Sequence, residues 1–186
     1  MIGKNEKISA KKIKDMKSDF GAFIWFDFSA IGYDDYTCYA TGHCAIASTD
    51  KELRDRVSEV DPDQKYQPHI EKELVSLIDA CSSGRDYVKW QNTGITVGEL
   101  KRPVGDWDAD RKDAVKNGEV FTKGRGNIIF MYDGYAIEIV KKNFVEFLRL
   151  FSGSVSGSTY VYYSHSMDAI GIGYKGEYGL LMTAIR

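Results

Sequence analysis

Three residue types are scarce in this chain of 186: there are three cysteines, three prolines and three histidines. That is too few cysteines for a disulfide scaffold. Cys38, Cys44 and Cys81 form an odd set without CxxC spacing, which points to reduced thiols in a cytoplasmic protein. The low proline content excludes a collagen-like repeat. Neither sign of charge dominates, since 25 Lys and Arg face 27 Asp and Glu for a formal net charge of −2. A generally basic nucleic-acid coat is thereby excluded, although a local basic face is not. Long apolar runs are missing as well, and none approaches the ~18 residues of a membrane-spanning helix. No apolar h-region follows the lysines of residues 1–7, so no signal peptide is expected.

What remains is an ordinary globular mixture, 43% hydrophobic and 28% charged. A chain of this length buries roughly 70% of its unfolded surface and needs no metal or disulfide to hold it. A single domain over residues 1–186 is expected, with no cofactor.

Periodicity divides the chain into alternating segments. Ile8, Ile13, Met16 and Phe20 recur every three to five residues behind Ser9 as N-cap, reading as a short amphipathic helix ended by Gly21. Its lysines point outward, as a solvated face or as a phosphate-contacting one. The aromatic run from Phe23 to Phe28 reads as a buried strand, and Tyr36 to Ser48 as its hairpin partner. Residues 50–60 fit a short surface helix or a charged loop. Pro68 opens a helix through Ile70, Leu74, Leu77, Ile78 and Cys81. Residues 87–97 read as two short strands about Asn92-Thr93-Gly94, and residues 98–119 as a turn-rich loop or insertion. Asp133-Gly134 between two alternating runs is the strongest hairpin signal. Asn143 is placed to cap a helix from Phe144 to Phe151, and three strands follow over Tyr160–Tyr163, Ala169–Tyr174 and Tyr178–Ile185. The order helix, strands, helix, strands, helix, strands predicts an α+β fold. Its expected plan is repeated helix-plus-antiparallel-strand units with the helices on one face of the sheet.

Two segments set in this order resemble the bacterial replicative sliding clamp. The first is Tyr39-Ala40-Thr41-Gly42-His43-Cys44-Ala45-Ile46-Ala47, against the family's A-T-D-G-H-R-L-A. The second is the terminal strand Tyr178-Gly179-Leu180-Leu181-Met182-Thr183-Ala184-Ile185-Arg186, against an ending close to V-V-M-P-M-R-L. The run from Glu138 to Leu148 is similar to the entry of the clamp's last helix, and Pro68–Ala80 to the helix after the first motif. Lys101 to Trp107 is more faintly similar to a D-G-x-Y-P-D-Y loop. The first motif lacks the family's Asp and has Cys44 in place of its Arg, and Thr183 replaces a Pro, which puts the usual partners in doubt.

The resemblance implies a non-enzymatic scaffold with a DNA-clamp-like fold, accessory to DNA replication or mobile-element biology. Partner proteins would dock by a short linear peptide, with Thr41, Gly42, His43, Leu180, Leu181 and Met182 forming the pocket. Double-stranded DNA would be met non-specifically by helix lysines, here Lys11, Lys12, Lys14, Lys17, Lys141 and Lys142, with Arg149, in a homo-oligomer. The pocket also has a physical case: Gly42 permits close backbone approach, His43 offers a polar edge, and the terminal apolar residues an adaptable floor. Against it, Leu180 and Met182 also suit the core of an ordinary strand.

Other chemistry is poorly supported. Structural zinc needs four N/S ligands, usually paired, and Cys38, His43, Cys44, His69, Cys81 and His165 are not so arranged. Adjacent strand residues such as His43 and Cys44 point to opposite faces, which opposes a Cys–His nucleophile. The cysteines at 38 and 44 read as small core fillers. The series Asp106, Asp108, Asp110, Asp113 lacks the Gly and Glu that close a calcium loop. Gly124-Arg125-Gly126 reads as a hairpin turn, and His165 lacks a nucleophile elbow. The alternative to a clamp-like scaffold is a small inhibitor, immunity or anti-defence protein that binds and blocks a protein partner, using its twelve tyrosines and the acidic loop.

Overall fold

A computed structural model describes residues 24–27 (as backbone), 36–40, 43–48, 68–83, 89–108, 110 and 114–184. The expected helix at 8–20 and the segment at 50–60 lie outside the described residues. The elements in chain order are β1 (Ile24–Asp27), β2 (Thr37–Ala40), β3 (Cys44–Ser48), α1 (Pro68–Ser83), β4 (Gln91–Thr96) and α2 (Val97–Lys101). They continue with β5 (Val120–Lys123), β6 (Asn127–Tyr132), β7 (Tyr135–Ile139), α3 (Lys141–Leu148), β8 (Tyr160–Ser164), β9 (Ala169–Tyr174) and β10 (Glu177–Met182). The fold is α+β with antiparallel sheets. Among the described residues no helix is long and apolar enough to cross a membrane.

Seven strands form one sheet in the order β1-β2-β3-β10-β9-β8-β4, and β5-β6-β7 form a second. Strand β10 lies at the centre of the larger sheet. It pairs antiparallel with β3 (Leu181 opposite Cys44) and with β9 (Leu181 opposite Ile170). Because side chains alternate along a strand, Leu180 and Leu181 enter different cores. Leu180 packs with Leu74, Leu77, Ile78 and Trp90 under α1. Leu181 packs with Phe144, Phe147, Phe151 and the β6–β7 residues Phe130 and Ile137.

This geometry corrects the expectation of helices on one face. The runs Ala169-Ile170-Gly171-Ile172 and Gly179-Leu180-Leu181 are apolar at successive positions rather than alternate ones, so both faces of these strands need cover. Helix α1 covers one face; α3 and the three-stranded sheet cover the other. Among the described residues α1, α2 and α3 are each followed by strand, but the stretches are not copies. The strands after α1 are divided between the two sheets, whereas β8, β9 and β10 after α3 are neighbours in one.

Local differences have local causes. The expected long strand at 36–48 breaks into β2 and β3 around the bend at His43, which lets both run antiparallel to each other. Over the described residues 89–97 the chain does not form two strands about a turn: β4 is one strand whose register shifts between Asn92 and Thr96, with Gly94 at φ 74°. A left-handed glycine inside a strand is the signature of a bulge. The expected loop at 98–119 opens inside α2, whose N-terminus is a capping box of Thr96 and Glu99. Beyond α2 the chain runs beside β5, with Val104 N donating to Val120 O at 2.8 Å and Thr122 N to Gly105 O at 2.7 Å. Helix α3 begins two residues before Asn143, with Val140 as N-cap and no side-chain cap.

Helix–sheet approach is set by small residues on the sheet. A Cβ built on Gly179 would lie 2.7 Å from Phe147 Cε2 and 3.1 Å from Phe151 Cζ, two rings already packed edge to face at 5.5 Å. At the start of the same strand Glu177 is 4% exposed and fully engaged. Its Oε1 accepts from Ser48 Oγ at 2.7 Å, and its Oε2 from Ser152 N and Oγ at 2.8 Å each. A buried carboxylate is tolerated when it is hydrogen-bonded in this way, and here it ties β3, β10 and the segment after α3 together.

Gly179→Ala is expected to overpack this face and lower unfolding free energy by about 1–3 kcal/mol, read from urea denaturation. An unchanged denaturation midpoint would show that the two rings yield without cost.

Candidate functional site

The structure brings the two motif segments together. His43 is exposed in the bend before β3, and its carbonyl accepts from Met182 N at 2.8 Å, extending the β3–β10 pairing. Thr41 and Gly42 lie outside the described residues. Leu180 and Leu181 are 2% and 0% exposed and belong to opposite cores, so of the three terminal-strand residues Met182 alone keeps solvent access. The apolar floor expected from three successive residues is therefore not one surface.

Lys141 and Lys142 are exposed in the first turn of α3, where the positive end of the helix dipole adds to their field. Arg149 is exposed at its far end and paired with Glu146. Lys11, Lys12, Lys14 and Lys17 lie outside the described residues. In the acidic series, Asp106 bridges to Thr122, and Asp113 lies outside the described residues.

Just beyond Met182 the chain borders a cleft of about 250 Å³ lined by Tyr135, Ala136, Ile137, Glu138, Tyr163, Asp168, Thr183 and Ala184. One wall is β7, the edge of the small sheet; the other is the β8–β9 turn and the continuation of β10. The walls are tied where Ala184 N donates to Glu138 O at 2.8 Å. Glu138 is internally compensated, with Oε2 2.6 Å from Lys123 Nζ and Oε1 accepting from Asn127 Nδ2 at 3.0 Å.

Asp168 is held differently. Its backbone is left-handed at φ 47°, a conformation Asp tolerates better than most residues. Its carbonyl accepts from both Thr183 N and Thr183 Oγ1 at 2.8 Å, and its Oδ1 accepts from Tyr163 OH at 2.9 Å. Three hydrogen bonds thus orient one exposed carboxylate at the cleft, and no cation pairs with it among the described residues.

Beside the cleft lies an aromatic group. The His165 ring meets Tyr163 edge-on at 4.8 Å and Tyr135 edge-on at 5.2 Å, and stacks on Tyr132 at 6.5 Å. Asp133 Oδ2 is 3.8 Å from His165 Nε2. The hydroxyls of Ser164 and Ser166 hydrogen-bond each other at 3.1 Å. The type of hairpin explains the grouping: Asp133 and Gly134 both have positive φ, so Tyr132 and Tyr135 emerge directly opposite each other.

Sequence reasoning missed this cleft, although it ended one strand at Tyr163 and began the next at Ala169, directly after Asp168. The available signal was the pair of tyrosines flanking Asp133-Gly134 together with an Asp closing a turn. Among the described residues no three or more His, Cys, Asp or Glu are gathered as a metal site. Comparisons with protein-family models, with curated proteins and with solved structures returned no match.

The cysteines are chemically quiet. Cys38 and Cys44 are buried, as core fillers should be. Burial, reinforced by the nearby Glu71 carboxylate, holds the Cys38 thiol well above its ordinary value. Burial alone pushes Cys81 up to about 12. A thiol that deprotonates more easily unfolded than folded makes the unfolded chain the weaker proton binder in alkali. The Cys81 contribution to stability is therefore full below pH 9.0 and lost between there and about 12. Cys81→Ala is expected to flatten alkaline unfolding across that window, measured by circular dichroism at a series of pH values. A variant with the same alkaline slope as the parent would contradict it.

Proposed function

We propose that this protein is a non-enzymatic docking scaffold of clamp-like plan, which takes a short linear peptide of a partner protein into the cleft beyond the terminal strand. The observation that carries this reading is the direct pairing of the His43 segment with that strand, Met182 N to His43 O, beside a concave surface formed by its next two residues. A cleft of about 250 Å³ is below the ~300–1,000 Å³ of small-molecule sites and suits a side chain or two of a peptide. The role envisaged is in DNA replication or mobile-element biology in the cytoplasm, with duplex DNA met through Lys141 and Lys142 in an oligomer. Phosphate contact by such lysines needs no specific site and weakens steeply with salt.

A second reading, an inhibitor that covers a partner's working surface, is favoured by the exposure of Tyr135 (59%) and Tyr160 (52%), since tyrosine is enriched at interfaces. Light scattering with size exclusion separates the two. A ring-capable oligomer supports the scaffold, and a strict monomer that ignores duplex DNA at low salt supports the inhibitor.

The docking reading itself is tested by panning a random peptide library on the folded protein. Enriched peptides are expected to shift the NMR amides of Tyr135–Glu138 and Met182–Ala184. Ala184→Trp, which fills the cleft, is expected to weaken them by about tenfold or more with the melting temperature unchanged. Failure to enrich any peptide, or shifts confined elsewhere, would remove the proposal.

A further inference from the structure

We infer that the cleft is selective for an arginine side chain of the docked peptide, with Asp168 as its anionic partner; this rests on the docking reading above. Among the described residues, two carboxylates and no cationic side chain line the cleft. Glu138 is already compensated by Lys123 and Asn127, so the unspent negative charge belongs to Asp168. That carboxylate is fixed in advance: the Thr183 pair of hydrogen bonds sets its backbone and Tyr163 sets its rotamer. Orientation before binding removes part of the entropy that a partner would otherwise have to overcome. Tyr163 occupies one site on Oδ1, which leaves Oδ2 and the remaining lone pair of Oδ1 for a forked donor.

The second feature is the exposed ring of Tyr135, which lines the facing wall of the same cleft. A planar, weakly hydrated guanidinium stacks on a tyrosine face and donates to a carboxylate at the same time, whereas an ammonium satisfies the charge as a compact, strongly hydrated point. Aromatic surface beside one oriented carboxylate in a space the size of a single side chain therefore selects arginine over lysine. The left-handed Asp168 fits this use, because unusual backbone conformations persist where the surroundings over-determine them.

The probe is Nα-acetyl-arginine N-methylamide, titrated into isotopically labelled protein and followed by NMR. Saturable shifts at Tyr135–Glu138, Tyr163 and Asp168 are expected in the millimolar range. The lysine derivative should bind several-fold more weakly, and the uncharged citrulline derivative at least about tenfold more weakly. Asp168→Asn retains tolerance of the left-handed backbone and an oxygen for the Tyr163 hydroxyl, so it should keep the parent melting temperature and lose at least about tenfold in arginine binding. Equal binding of citrulline, equal binding of lysine, or an unaffected Asp168→Asn variant would overturn the inference. Library peptides that dock at the cleft without arginine, and are indifferent to Asp168→Asn, would overturn it while leaving the docking reading in place. Arginine binding that depends on Asp168, without any peptide docking, would do the reverse.

Discussion

Strand β10 joins the β1-β2-β3 and β9-β8-β4 halves of the large sheet. Its neighbours are β9, joined to it by the tight turn Lys175-Gly176, and β3, about 130 residues earlier in the chain. The first pairing is local and inexpensive in chain entropy; the second closes a loop of about 130 residues, whose cost must be met before any contact repays it. What repays it is burial on both sides of one strand. Leu180 completes the core beneath α1 and Leu181 the core beneath α3, so a single insertion finishes two hydrophobic clusters together. Gly179 lets the Phe147 and Phe151 rings settle onto the strand, and Glu177 fastens its beginning to β3 and to Ser152.

The same insertion builds the cleft. Once β10 is fixed as far as Met182, the direction of Thr183 and Ala184 follows, and each finds a partner across a gap. Thr183 takes the Asp168 carbonyl twice, and Ala184 takes the Glu138 carbonyl. The cleft walls therefore inherit the rigidity of the central sheet rather than the mobility usual in loops, the arrangement that holds a recognition group in place. Tyr132 and His165, together with the cleft-lining Tyr163, brace the two turns against each other, and Tyr132 OH also donates to Gln91 Oε1 at 3.1 Å in the edge strand β4.

Legibility in the sequence followed the range of the interactions. The Asp133-Gly134 hairpin, the helix opened by Pro68 and the last three strands were readable because turn chemistry and periodicity are local signals. Asn143 misled because a good capping residue does not start a helix when packing of Phe144 and Phe147 sets its start three residues earlier, with Val140 as N-cap. Gly94 read as a turn because a left-handed glycine serves a turn and a bulge equally. The single-faced layout failed on Leu180 and Leu181: consecutive apolar residues carry no information about which side is covered, and only the assembled sheet shows that both are. The motif at His43 and the terminal strand were readable as neighbours. The cleft was not, because Tyr135, Tyr163, Asp168 and Thr183 come from four segments whose meeting depends on that long-range pairing.

The charged groups around the cleft bear on the docking proposed for it. General acid–base or nucleophilic work needs a reactive group with an activating neighbour within hydrogen-bond reach. At the cleft, the Glu138 carboxylate is committed to a lysine and an amide, the Ser164 hydroxyl to Ser166, and the His165 ring to three tyrosines. The Cys81 thiol, on the other side of the large sheet, is held protonated by burial. Asp168 differs in being oriented by its neighbours rather than neutralised by them. A carboxylate fixed at its backbone by one residue and at its side chain by another, with an exposed tyrosine ring lining the same cleft, offers position and charge together; under the docking proposed above, that combination is what would discriminate among partners.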